Sequence, residues 1–232
     1  MLTGRPLVAS LARIPFFSGL DMAALERVAA STRTRRFRRG EVIFHAGDPG
    51  DALFVIVSGE VKIAVPSESG EEAILTTLHD GDVFGELALL DGAPRSATAA
   101  ALVATETVVL PRDSFLDLVA TEPVVRDALL ASLARELRRL TTHVEELHFL
   151  DITGRLAARL IRLAAESGPA DHDGTVRLRA SLTQAELASM VGCTRQSVNK
   201  LLGQFSDTGL VRLGREGIVV TDIDGLVAES RR

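Results

Sequence analysis

Between Gly40 and Gly92, apolar and polar positions fall into short runs, EVIF, ALFVIV, EVKIAV and AILTTL, each rich in β-branched or aromatic residues. Eight glycines, at 40, 47, 50, 59, 70, 81, 85 and 92, separate them. This pattern predicts short antiparallel strands joined by turns, in a small barrel or sandwich. The pattern changes after Gly92: no glycine occurs from residue 93 to residue 153. SATAAALVATETVVLP continues as strand, and a helix follows.

In that helix Thr121 is the expected cap ahead of Pro123. Leu130, Leu133, Leu137, Leu140, Val144 and Leu147 then recur at spacings of 3, 4, 3, 4 and 3. So narrow an apolar seam either pairs two copies of a long helix or packs on the chain's own strands. The flanking charges Arg138, Arg139, Glu145 and Glu146 favour the dimer.

A second helix is predicted from about Thr153 to Gly168, followed by a polar loop, GPADHDG, and a strand, TVRLRA. In LTQAELASMVGCTRQSVNKLL, Thr183 and Glu186 form a capping box, Ala185, Leu187 and Met190 supply an apolar face, and Gly192 ends the helix. Another helix opens at Thr194 and carries Arg195, Gln196, Ser197, Asn199 and Lys200 near its start. Two short helices joined by a glycine turn, the second polar and basic at its amino end, predict a helix-turn-helix that reads the major groove. LVRL, GREG and IVVTD add a hairpin, which makes the arrangement winged.

Charge supports this division. The chain has 232 residues and a net charge of −5, but residues 1–151 hold 15 basic against 22 acidic groups, while residues 152–232 hold 11 against 9. Only the carboxy-terminal third is basic. The 46% apolar content supports a sizeable core in one or two domains. No apolar run is long enough for a membrane helix and no cleavage site follows the amino terminus, so a cytoplasmic protein is expected. A single cysteine, Cys193, excludes an internal disulfide and a cysteine-rich metal site.

One stretch carries ligand chemistry. GELALLDGAPRSATA, residues 85 to 99, places Gly85 and Glu86 ahead of Arg95 and Ser96. A carboxylate among apolar residues requires a hydrogen-bonding partner, and an arginine beside a hydroxyl suits a phosphate. The stretch therefore predicts a small-ligand pocket with one anionic end and one hydroxyl-bearing end. A buried Glu86–Arg95 ion pair is the structural alternative. Histidines 45, 79, 143, 148 and 172 lack metal-ligand spacing, and there is no G-x-S-x-G, P-loop or paired-carboxylate motif. Neither a metal nor catalytic residues are expected, and the chain does not read as an enzyme.

The order of strand domain, GELALLDGAPRSA, seam helix, FLDITGRLA and GCTRQSVNKLL resembles the cyclic AMP receptor protein (Crp/Fnr) family of bacterial transcription regulators over nearly the whole chain. The resemblance implies an α+β fold: an antiparallel β-barrel of jelly-roll type with an amino-terminal helix (1–120), a dimerisation helix (121–151) and a winged helix-turn-helix domain (152–232). It implies that Glu86 accepts the ribose 2′-hydroxyl of a cyclic nucleotide, cyclic AMP first among them. Arg95 and Ser96 would hold the cyclic phosphate, and Gly85, Leu87 and Ala88 would bring backbone close to the ligand. It further implies homodimerisation, a palindromic DNA operator and RNA polymerase as a partner.

Two positions depart from the family pattern. Leu140 stands where the cyclic AMP receptor proteins offer a threonine to adenine, which leaves Thr141 and Thr142 to contact the base. Gln196 stands where they usually carry glutamate. Two functions are therefore weighed: a ligand-gated dimeric regulator that binds DNA, and a cyclic-nucleotide-binding interaction module. A third possibility is a family regulator that answers to a different effector or to none.

Overall fold

The computed structural model describes residues 5–67, 72–171, 174–178, 182–214 and 217–231, with backbone alone at residues 5 and 6. The chain divides into two compact units, Met1–Leu137 and Arg138–Arg232. Among the described residues no helix is long and apolar enough to cross a membrane.

In the first unit, α1 (Arg5–Leu11) and α2 (Met22–Ser31) precede six strands: β1 (Arg33–Phe37), β2 (Val42–Phe44), β3 (Ala52–Ser58), β4 (Val61–Pro66), β5 (Glu72–Leu78) and β6 (Val83–Phe84). A single helical turn, α3 (Leu87–Leu90), leads to β7 (Thr98–Ala101), β8 (Thr105–Pro111), α4 (Arg112–Thr121) and α5 (Pro123–Phe149), and α5 continues into the second unit. The strands form two four-stranded antiparallel sheets, ordered β1-β8-β3-β6 and β2-β7-β4-β5. The jelly-roll expectation holds, but the sheets do not close into a barrel.

Packing explains the sandwich. Phe54, Ile56, Phe84 and Val109 of the first sheet meet Ile43, Val61, Ala99 and Ala101 of the second in one buried cluster. The opposite face of the first sheet, Leu53, Val55, Val108 and Leu110, is covered by Phe17 of the α1–α2 turn and by Leu25, Phe115, Val125 and Leu129 from the helices. Strand β3 is therefore buried on both faces, which is why ALFVIV is a continuous apolar run rather than an alternating one.

Two local expectations are corrected. Thr121 does not cap the long helix; it closes α4, its hydroxyl donating to Asp117 O at 2.9 Å, and Pro123 opens α5. The sequence reading also passed over β1, whose outward positions are all arginine except at buried Thr34 and Phe37.

The second unit contains α6 (Ile152–Ser167), β9 (Val176–Arg177), α7 (Gln184–Val191), α8 (Arg195–Asp207), β10 (Val211–Gly214), β11 (Gly217–Val220) and α9 (Ile223–Glu229). Asp151 caps α6, its Oδ1 accepting from Gly154 N at 2.8 Å. Strand β9 joins the wing hairpin in a three-stranded sheet ordered β10-β11-β9. The end of TVRLRA at 179–180, the wing turn at 215–216 and His172 lie outside the described residues. Helix α9 was not expected; Asp222 caps it and Leu226 anchors it in the core.

Candidate effector site and nucleic-acid interface

Gly85, at φ 84°, turns the chain sharply after β6, and Glu86 stands at the head of α3. The close approach requires glycine: a Cβ there would lie 2.5 Å from Arg95 Nη1. Asp91 and Gly92 then reverse the chain, with Asp91 Oδ1 accepting from Ala93 N at 2.9 Å and Gly92 at φ 74°. The returning segment is tied down at Arg95, whose N donates to Asp48 O and whose O accepts from Gly47 N, both at 2.8 Å.

Arg95 is the centre of this arrangement. It is only 4% exposed. Its Nη1 donates to Gly85 O at 2.6 Å and its Nη2 to Ala52 O at 2.7 Å. The guanidinium lies 4.3 Å from the ring centroid of Phe44 and 5.8 Å from that of Phe54. Asp51 Oδ1 stands 3.6 Å from Nη2, but that carboxylate is 81% exposed. The structure thus pairs Arg95 with backbone carbonyls and Asp51, not with Glu86. Its Nε is buried and has no hydrogen-bond partner. Burial lowers the arginine's pKa, with the nearby carboxylates of Asp51, Glu86 and Asp48 opposing the shift.

Glu86 is half-buried, and burial pushes its carboxyl above the usual carboxylate range. A hydrogen bond from its own backbone lowers it, Glu136 on α5 raises it further, and Arg95 lowers it. The consequence for stability has a definite sign. Well below the usual carboxylate range Glu86 is protonated in both folded and unfolded chains and makes no difference. As pH rises, the unfolded chain loses its proton first, so the folded state is progressively disfavoured until the raised pKa is passed. Glu86→Gln is therefore expected to be more stable than wild type at neutral pH, with the gap closing in acid; urea melts of both proteins across pH check it.

Of the remaining expected residues, Leu87 is 45% exposed, Ala88 is buried and Ser96 is exposed beside Arg95. Ala88 O accepts from Arg112 Nη1 at 2.9 Å, which ties α3 to α4. Thr141 and Thr142 are exposed on α5 within the second unit. Phe44, Phe54 and Ala52 were missed by the sequence reading; only their approach to Arg95 identifies them.

Along α5, Leu130, Leu137, Val144 and Leu147 are 58%, 67%, 64% and 47% exposed and Leu140 is 36% exposed, whereas Leu133 packs against the helical core of the first unit. Apolar residues this open on one stripe form an exposed apolar surface among the described residues.

The helix-turn-helix is built by local signals. Thr183 Oγ1 accepts from Glu186 N at 3.2 Å while Glu186 Oε2 accepts from Thr183 N at 2.7 Å, the reciprocal capping box. Gly192 closes α7 at φ 72°. Thr194 caps α8 by accepting from Ser197 N at 3.1 Å. Val198, Leu202 and Phe205 of α8 enter the core, which leaves Arg195, Gln196, Asn199 and Lys200 exposed and Ser197 half-buried. Asn199 Oδ1 accepts from Gln184 Nε2 at 3.2 Å. Cys193 sits half-buried in the turn, where burial raises its thiol pKa. Among the described residues, no cluster of histidine, cysteine and carboxylates could hold a metal ion.

A jelly-roll domain followed by a long helix and a winged helix-turn-helix is the build of a transcription regulator. Residues 34–122 match the cyclic nucleotide-binding domain and residues 154–229 the Crp-like helix-turn-helix domain. The chain is 35% identical over 221 residues to the CRP-like cAMP-activated global transcriptional regulator of Mycobacterium tuberculosis, covering 95% of this chain and 98% of that one. It is 32% identical to the cAMP-activated global transcriptional regulator CRP of Escherichia coli, over 84% of this chain and 93% of that one. Among solved structures it is similar to the c-di-GMP responsive global regulator CLP of Xanthomonas campestris, with a TM-score of 0.77 at 25% identity over 87% of this chain and all of that one. It is also similar to the Thermus thermophilus catabolite activator protein, with a TM-score of 0.52 at 31% identity over 93% and 98% of the two chains. The chain belongs to the Crp family of DNA-binding transcription regulators and carries that family's cyclic-nucleotide-binding domain.

Proposed function

We propose that the sandwich binds a cyclic nucleotide, cyclic AMP first, and that the chain acts as a homodimer on a palindromic operator. The observation that carries the ligand is Arg95: a buried guanidinium beside a glycine turn, with an N–H that has no acceptor. A cyclic phosphate supplies acceptors for such a fork, and the hydroxyl of Ser96 adds a donor. Glu86, as carboxylate, accepts from the ribose 2′-hydroxyl, and Gly85, Leu87 and Ala88 allow the backbone to approach. Thr141 and Thr142 are the residues left to offer a polar contact to the base, since the Leu140 side chain has no polar atom. The two curated relatives are described as cAMP-activated, and the Xanthomonas regulator as c-di-GMP responsive. Calorimetric titration with cyclic AMP, cyclic GMP and c-di-GMP tests the assignment; no heat with any of them defeats it.

On DNA, Arg195 reads a guanine through two hydrogen bonds and Lys200 supplies the second basic contact, with Ser197 and Asn199 beside them. RNA polymerase is the partner through which such a regulator alters transcription. Gln196 both donates and accepts, which pairs best with adenine, whereas glutamate accepts from the cytosine amino group. Gln196→Glu is expected to move preference at one base pair toward cytosine by about 1–3 kcal/mol, with the salt dependence of binding unchanged because no phosphate contact is added. Selection of sites from random DNA with both proteins checks this, and identical preferences would show that Gln196 reads no base.

A further inference from the structure

Arg155, Arg159 and Arg162 lie at i, i+4 and i+7 on α6, one above another on a single face. The adjacent face of the helix, Leu156, Leu160 and Leu163, about 100° round from the arginines, enters the core of the winged domain. Each arginine reaches a different neighbour. Arg155 Nε donates to Val191 O at 3.1 Å, at the end of α7, and its Nη1 donates to Leu150 O at 3.3 Å, just past α5. Arg159 Nε donates to Met190 Sδ at 3.3 Å, also on α7. Arg162 grips Glu146 of α5 with both prongs, Nη2 to Oε2 at 2.7 Å and Nη1 to Oε1.

A guanidinium fork on a carboxylate fixes angle as well as distance. The Glu146 side chain is only 13% exposed, so water competes weakly for it. Leu147 adds a contact of its own: its Cδ2 lies 3.8 Å from where a Cβ on Gly192 would stand, at the turn between α7 and α8. The end of the long helix thus meets the helix-turn-helix at its turn and grips α6 through Glu146.

We propose that Arg155, Arg159 and Arg162 are positioning residues that fasten the last turns of α5 and the end of α7 to α6, so that the end of the dimerisation helix aims α8 at the DNA. This rests on the dimeric, operator-binding reading above. In a two-fold complex the reading helices must meet half-sites at a set separation, so angular play at this junction loosens the separation the protein accepts.

The experiment uses the full chain and three variants: Glu146→Gln, Arg162→Gln, and the exchanged pair Glu146→Arg with Arg162→Glu. Hydrogen exchange followed by mass spectrometry reads amides in residues 138–149. The single variants are expected to exchange about fivefold faster there, the exchanged pair to return close to wild type, and the α8 amides to stay unchanged. Unchanged exchange in Glu146→Gln, or no recovery in the exchanged pair, overturns the fastening. Binding is then measured on palindromes whose half-site spacing is altered by one base pair in either direction. Wild type is expected to discriminate against both, and Glu146→Gln to lose about fivefold of that discrimination, with recovery in the exchanged pair. Unaltered spacing discrimination overturns the aiming role. If no variant binds any palindrome, the operator reading fails, and the exchange arm still decides whether the junction is fastened.

Discussion

Arg95→Leu is expected to abolish measurable nucleotide binding and, in the same variant, to destabilise the sandwich. The sequence alone suggests a ligand group that could be removed with the fold intact. In the structure the guanidinium also supports the Gly85 turn and β3, through Gly85 O at 2.6 Å and Ala52 O at 2.7 Å. Leucine leaves both carbonyls without their donors, at about 1–3 kcal/mol for each buried group left unpaired. The two effects are separable with Arg95→Lys, which keeps the charge but loses the planar fork. Binding to Arg95→Lys should fall by about ten- to a hundredfold, from the loss of one charge-assisted bond at about 1.5–3 kcal/mol, in a protein that remains folded. Calorimetry for binding and urea melts for stability are the measurements. Arg95→Leu binding cyclic AMP as tightly as wild type would remove Arg95 from the site.

The double variant Leu137→Glu, Val144→Glu is expected to be monomeric in light scattering at concentrations where wild type is dimeric. Both residues lie on the exposed stripe of α5, at 67% and 64%, so in one chain the substitutions disturb no core. In a dimer each seam residue faces its counterpart, and carboxylates buried without partners cost about 3–5 kcal/mol apiece or more. Four such groups per dimer exceed what a seam of this length supplies. Leu133 is the wrong place for this test, because it packs against the first unit's own core and its replacement would confound unfolding with dissociation. A wild-type protein that is monomeric at all concentrations removes the seam proposal, and with it the two-fold operator.

The sequence alone determined what local chemistry determines. Thr183 and Glu186 sit three residues apart, and backbone N–H groups at a helix start are within reach of side chains at that spacing whatever else the fold does. Gly192 at a left-handed turn, a helix opening near Thr153, and the amino-terminal cluster on α8 are legible for the same reason. The seam of α5 is a periodicity, and periodicity survives translation from sequence to helix. Strand β1 was hidden because RTRRF reads as a charge run until β8 pairs with it, Arg33 opposite Val109 and Phe37 opposite Thr105.

What only the tertiary structure decided depends on contacts between residues far apart in the chain. That the strands form two sheets rather than a barrel follows from which edges pair, and no single strand carries that information. That Arg95 supports backbone depends on Ala52, 43 residues earlier, and its ring contact on Phe44, both brought beside it by the sandwich. That Arg155, Arg159 and Arg162 form a fastening depends on where α6 crosses the end of α5, which the helical pattern of α6 leaves open. Capping and turn signals act within one turn of chain, whereas an arginine's partner is settled only by the packing that brings distant carbonyls and carboxylates within reach of its fork.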